Sequence, residues 1–102
     1  PRVTIGGGIG KITKLAQGAV DLHSSRTQVD FDALNTLSLS LGLADVRDAN
    51  TALEAVTRAG NGLAQAIAEQ ARICVLNKVK NTIQHVDIVV IDRSGNILGQ
   101  AE

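Results

Sequence analysis

A chain of 102 residues with one aromatic, Phe31, and no Trp, Tyr or Met has to build its core from aliphatic side chains, and this length accommodates one small domain. Ten basic and ten acidic residues cancel to zero formal charge, which gives no reason to expect nucleic acid or an anionic membrane as partner. Cys74 stands alone, so no disulfide forms within the chain; with no apolar run of ~20 residues and no signal-peptide pattern, a cytoplasmic protein is expected. A start at Pro1, without methionine and almost directly in a strand, is expected of a piece cut at a domain boundary, with 1–102 as one domain.

In chain order, Val3–Ile5 is short, β-branched and bounded by glycines, and reads as a buried strand. Gly6-Gly7-Gly8-Ile9-Gly10 then predicts a tight turn. Gly10–Gln17 predicts a helix with Ile12, Leu15 and Ala16 on one side and Lys11 and Lys14 on the other, ended by Gly18. Asp21–Gln28 is polar and reads as a loop. Asp30 looks like an N-cap with Asp32 in the first turn; Leu34, Leu37 and Leu41 follow at helical spacing, and Gly42 stops them.

Asp45 or Asp48 is expected to start the next helix, whose apolar face is Ala49, Ala52, Leu53 and Val56. Gly60-Asn61-Gly62 separates it from a longer helix, Leu63 to about Val79. There Leu63, Ala66, Ile67, Ala71 and Cys74 make one stripe, widened by Ile73, Leu76 and Val79. So broad a stripe predicts a helix packed on more than one side. Val86–Asp92 is a second strand; Ser94-Gly95-Asn96 turns the chain, and Ile97–Gln100 returns as a hairpin. The expected fold is α/β: a small sheet, made of the N-terminal strand and the C-terminal strand plus hairpin, packed with about four helices.

The glycine run fits neither common nucleotide fingerprint. A dinucleotide motif begun at Gly6 needs glycine where Lys11 stands, and a P-loop ending at Gly10-Lys11 needs glycine at Ile5. What remains is Gly6-x-Gly8-x-Gly10 after a strand, a spacing that resembles the turn by which many S-adenosylmethionine methyltransferases hold their cofactor. Glycines let the backbone approach a ligand closely, and a helix start supplies N–H groups for an anion; a turn that needs glycine only for packing explains the run equally well. His23, with Ser24, Ser25 and Arg26, is a candidate acid, base or axial ligand, against the plainer reading of an exposed or capping histidine. Asn50, Thr51 and Glu54 either reach a ligand or cap a helix. Cys74 reads as a small buried apolar group, His85 as a strand-boundary residue and Asp92 as a satisfier of local backbone. No Cys/His pair has zinc spacing, so no resident metal is expected.

Gly8-Ile9-Gly10-Lys11-Ile12-Thr13-Lys14-Leu15-Ala16-Gln17-Gly18, followed by His23-Ser24, resembles the C-terminal part of the CbiD family, the cobalt-precorrin-5B C(1)-methyltransferases of cobalamin biosynthesis. Ala49–Ala55 and Val89–Gly95 are compatible with the same family. The resemblance spans most of this chain and about the last third of a family member. It implies a parent enzyme that transfers a methyl group from S-adenosylmethionine to C1 of a cobalt-corrinoid precursor, completed by an N-terminal portion. It further implies that Gly6, Gly7, Gly8, Gly10, Lys11, Lys14, Ser24 and Arg26 bind cofactor or substrate, the cations meeting substrate carboxylates, with His23 the one catalytic candidate. Two other readings stay open: a nucleotide- or phosphate-binding module that uses the glycine turn, and a structural domain that forms a homo-oligomer through its alanine-rich helices.

Overall fold

The computed structural model describes residues 2–18, 29–79 and 85–102. Within them the order is β1 (Arg2–Gly7), α1 (Ile9–Ala16), α2 (Phe31–Ser40), α3 (Ala52–Ala59), α4 (Asn61–Val79), β2 (His85–Ile91) and β3 (Ile97–Ala101). The small α/β fold is the expected one: four helices with a sheet built from the N-terminal strand and the C-terminal pair. No helix among the described residues is long and apolar enough to cross a membrane.

The sheet order is β1-β2-β3, with β1 parallel and β3 antiparallel to β2. Side chains alternate across a strand, and β2 shows it: Val86, Ile88 and Val90 are fully buried in the helix-covered core. Their β1 partners in register are Val3, Ile5 and Gly7. On the opposite face Asp87 is the exception to polar exposure, only 5% accessible. Its carboxylate accepts from Arg2 Nε at 2.6 Å and Nη2 at 3.0 Å, and from Thr4 Oγ1 at 3.0 Å. His85 Nε2 lies 3.0 Å from the same carboxylate. The Arg2 guanidinium, helped by Thr4 and His85, holds Asp87 down to about 2 against the opposing effect of burial. This cluster clasps β1 to β2 at their N-terminal ends.

Helix α4 packs against α1 and α3 and also against β2 and β3, as its broad stripe requires. It approaches β3 so closely that a Cβ on Gly99 would sit 2.7 Å from the Ala64 carbonyl carbon and the Gln65 nitrogen. The buried stripe of α4 is shifted from the expected one. Ala64, Ala68 and Val75 join Leu63, Ile67 and Ala71 inside, whereas Ile73 is 56% exposed.

Three boundaries differ from expectation, each for a local reason. The third helix starts at Ala52, not at Asp45 or Asp48, because Thr51 and Glu54 form a reciprocal cap. Thr51 Oγ1 accepts from Glu54 N at 3.0 Å, and Glu54 Oε2 accepts from Asn50 N at 2.8 Å. The preceding segment is irregular and held by α2: Asn35 Oδ1 accepts from Val46 N at 2.9 Å, and Ser38 Oγ donates to Ala44 O at 2.6 Å. Leu41 falls just past the end of α2 and is 47% exposed. Gly60 alone, at φ +99, breaks the chain before α4, which already includes Asn61 and Gly62.

Candidate functional site

The glycine run is not one tight turn. β1 continues through Gly6 and Gly7, paired with Val89 and Val90, and α1 begins at Ile9, so Gly8 alone joins them. The seven residues of β2 offer pairing partners beyond Ile5, and that ladder overrides the low strand preference of glycine. The four glycines therefore face different surroundings. Gly7 lies under Lys11 and Ile12, where a Cβ would come 3.2 Å from Lys11 Cδ. Gly6, Gly8 and Gly10 would each accept a Cβ with nothing within 4 Å.

Nor does backbone geometry require them. The glycines with positive φ are Gly18, Gly42, Gly60 and Gly95, the stops and the hairpin. Gly8 sits at φ −70 and ψ 164, open to any residue. Among the described residues, neither packing nor dihedral angle explains the bare backbone at positions 6, 8 and 10.

Helix α1 also differs from its neighbours at its start. Asp30 caps α2 by accepting from Ala33 N, and Thr51 caps α3. Gly8 offers α1 no side-chain cap, and its first turn holds no acidic residue. Intrahelical bonding begins with Ile12 N to Gly8 O at 3.1 Å, which leaves the N–H groups of Ile9, Gly10 and Lys11 without acceptors inside the helix. These form the positive end of the helix dipole.

Beside that end lies a cavity of about 390 Å³ lined by Gly8, Ile9, Leu53, Ile91, Asp92 and Arg93. It sits where the parallel strands β1 and β2 both end, the place where open α/β sheets take their ligands. Leu53 and Ile91 form its apolar wall, 42% and 37% exposed; Leu53, expected on the core side of α3, instead faces outward. Asp92 is consumed by the hairpin. Its carboxylate accepts from Ser94 N at 2.8 Å, Asn96 N at 2.9 Å and Asn96 Nδ2 at 3.2 Å, and these donors, the Asn96 N–H foremost, keep its pKa below the usual carboxylate range. Arg93 is the exposed cation on this wall.

Lys14 belongs elsewhere. It lines a second cavity, about 440 Å³, with Val29, Phe31, Asn50, Thr51 and Ala52. The glycine step and Lys14 are thus held at two openings that share the start of α3. The far end of α1 is tied down by other elements. Gln17 exchanges two hydrogen bonds with the Asp30 backbone, Nε2 to O at 2.9 Å and N to Oε1 at 2.8 Å. The Cys74 thiol, half-buried, donates to Ala16 O at 3.2 Å, and Lys78 Nζ donates to Gly18 O at 3.0 Å. Cys74 is therefore a structural donor as well as a packing group, and His85 belongs to the Asp87 clasp. His23, Ser24 and Arg26 lie outside the described residues.

Sequence reasoning missed Leu53, Ile91 and Arg93 as site residues. The signal for Arg93 was available, as a cation two residues past the end of β2, the strand parallel to β1. The exposure of Leu53 was not, because its spacing matches the core face of α3.

A family model described as the CbiD C-terminal domain matches residues 21–102. The cobalt-precorrin-5B C(1)-methyltransferase of Paramagnetospirillum magneticum is 47% identical over 107 residues, covering 99% of this chain and 30% of the relative. The protein of the same name from Brucella anthropi is 45% identical over 107 residues, covering 97% and 29%. That of Halorhodospira halophila is 43% identical over 109 residues, covering 99% and 29%. The chain thus spans less than a third of the length of these relatives. No solved structure matches it.

Proposed function

The chain belongs to the CbiD C-terminal domain family, and we propose that it is the C-terminal domain of a longer cytoplasmic enzyme that methylates C1 of a cobalt-corrinoid precursor, cobalt-precorrin-5B, in cobalamin biosynthesis. The names of relatives at 43–47% identity support the activity. The bare backbone at Gly8 and Gly10, over the uncapped start of α1, is the observation that supports a ligand site in this part of the enzyme.

The donor set fits a carboxylate. Main-chain N–H groups at α1 and the cation Arg93 suit an anion, and Leu53 with Ile91 supplies an apolar wall for the body of the molecule; Lys11, whose side chain lies over Gly7, adds positive charge near the helix start. S-Adenosylmethionine, when bound, supplies an electrophilic methyl group. The work of the chain's own residues is to bind and orient. The α1 N–H groups fix a carboxylate at the helix end, Gly8 and Gly10 permit its close approach, and Leu53 and Ile91 exclude water from one side. Lys14 lines the second opening, and on this reading it pairs with a peripheral carboxylate of the substrate.

The test is calorimetric titration of S-adenosylhomocysteine into the full-length enzyme, wild type and Gly8→Val. Position 8 has allowed dihedrals and open space, so the variant is expected to fold and to bind at least roughly tenfold more weakly, since the added side chain stands between ligand and helix end. Equal affinity in the two proteins removes the glycine step from the cofactor site. Stabilisation by ATP or GTP but not by adenosyl-sulfur compounds favours the phosphate-binding reading instead.

A further inference from the structure

The two edges of the sheet are treated differently. A strand edge presents a row of N–H and C=O groups that either find partners or invite another strand. On the β3 side α4 closes the edge with side chains as well as by packing. Gln65 Oε1 accepts from Gln100 N at 2.9 Å. Where β3 has ended and β2 continues, Arg72 Nε donates to Val86 O at 2.8 Å. β1 carries no equivalent. Among the described residues no side chain bonds to its backbone, and it holds no proline and no lysine to discourage pairing. Its one charged residue, Arg2, is turned to Asp87 across the ladder.

The core is also unfinished at this edge. Val86 and Ile88 are fully buried, but their β1 partners Val3 and Ile5 are only half-buried. Among the described residues β1 pairs with β2 alone, so the N–H and C=O groups on its outer side have no ladder.

We propose that β1 is an interior strand of the complete protein, and that its outer edge is occupied by an extended segment from the part of the longer polypeptide that precedes this domain. The identity of the occupant follows from length. The chain covers 29–30% of relatives that it matches from end to end, and the family model is a C-terminal domain, so over two-thirds of such a protein lies outside this fold. Within one polypeptide a short segment meets the edge at high effective concentration, and main-chain hydrogen bonds supply the attachment. Bonding at the edge fixes how the two parts of the enzyme sit together. The proposal rests on reading the chain as the C-terminal domain of a longer protein, not on the methyl-transfer reading.

Hydrogen exchange at residue resolution on the full-length enzyme, with a photoreactive benzophenone side chain in place of Gly6, tests it. Alternate residues of β1 aim their N–H groups away from β2. With the edge occupied, every amide from Val3 to Gly7 exchanges roughly 100-fold or more slowly than in an unstructured peptide, and the photoproduct joins position 6 to a segment preceding this domain. Fast exchange at alternate amides overturns the proposal. So does a cross-link to residues 19–28 or 80–84, to a second copy of the chain, or to nothing outside the domain. Both readouts are taken without substrate, so a failed methyl-transfer reading leaves them standing, and an open edge leaves that reading untouched.

Discussion

Gly99 and the trio Gly6, Gly8 and Gly10 are the same residue type used for opposite purposes. At Gly99 the space of the missing side chain is filled by the α4 backbone, 2.7 Å from where a Cβ would stand. At the other three nothing within the described structure comes within 4 Å. One glycine makes room for the chain itself. The others leave room that the described residues do not use, and that contrast separates a packing glycine from a candidate recognition glycine.

The largest expected effect is at the filled position. Gly99→Ala forces a methyl group against backbone that cannot rotate away, and about 3 kcal/mol of stability is lost, or the domain fails to fold. A urea midpoint close to wild type would show that α4 yields easily and that the two classes of glycine are not distinct. The next effect is at the Asp87 clasp. Its folded pKa lies below the ordinary value, at about 2 against 3.8. The carboxylate therefore contributes stability above pH 4, and that contribution disappears as pH falls through about 2. Asp87→Asn should lower the melting temperature at pH 7, with the gap to wild type closing over that acid range; a gap independent of pH would assign the loss to packing.

Thr51→Ala removes the reciprocal cap of α3 and is expected to cost about 1 kcal/mol in chemical denaturation. The smallest effect on stability belongs to the empty positions. Gly10→Ala sits in the first turn of α1 without a clash and should raise stability by about 0.5 kcal/mol through helix propensity, while weakening S-adenosylhomocysteine binding in the same calorimetric assay. A Gly10→Ala protein that is destabilised and binds normally would reverse the comparison.

Much of the fold is legible along the chain because it depends on local chemistry. Asp30 caps α2 as its position suggests, Gly18, Gly42 and Gly60 stop helices with positive φ, and the β-branched run Val86–Ile91 with its turn gives the hairpin. Legibility fails where a partner from elsewhere decides. Thr51 prevails over Asp45 and Asp48 because Asn35 and Ser38 of α2 hold the intervening segment in irregular form. Ile73 and Leu53 match core spacing yet face outward, since helical period alone does not say which side of a broad stripe meets the sheet.

The candidate site divides in the same way. The uncapped helix start after Gly8 and the cations Lys11 and Lys14 are written in consecutive residues, and the resemblance to a corrinoid methyltransferase family rests on them. That Gly6 and Gly7 belong to a strand, that Lys14 opens on a different cavity, and that Arg93, Leu53 and Ile91 stand beside Gly8 depend on residues from fifteen to eighty-five positions away.

The sequence by itself determined the family, the element types and most of their stops, because caps, glycine dihedrals and strand patterns act over a few residues. Only the tertiary structure decided which glycines are filled and which are bare, and which sheet edge is closed. Those properties arise where α4 meets β3 and where the outer edge of β1 meets no described neighbour, and no local pattern encodes the distance between them.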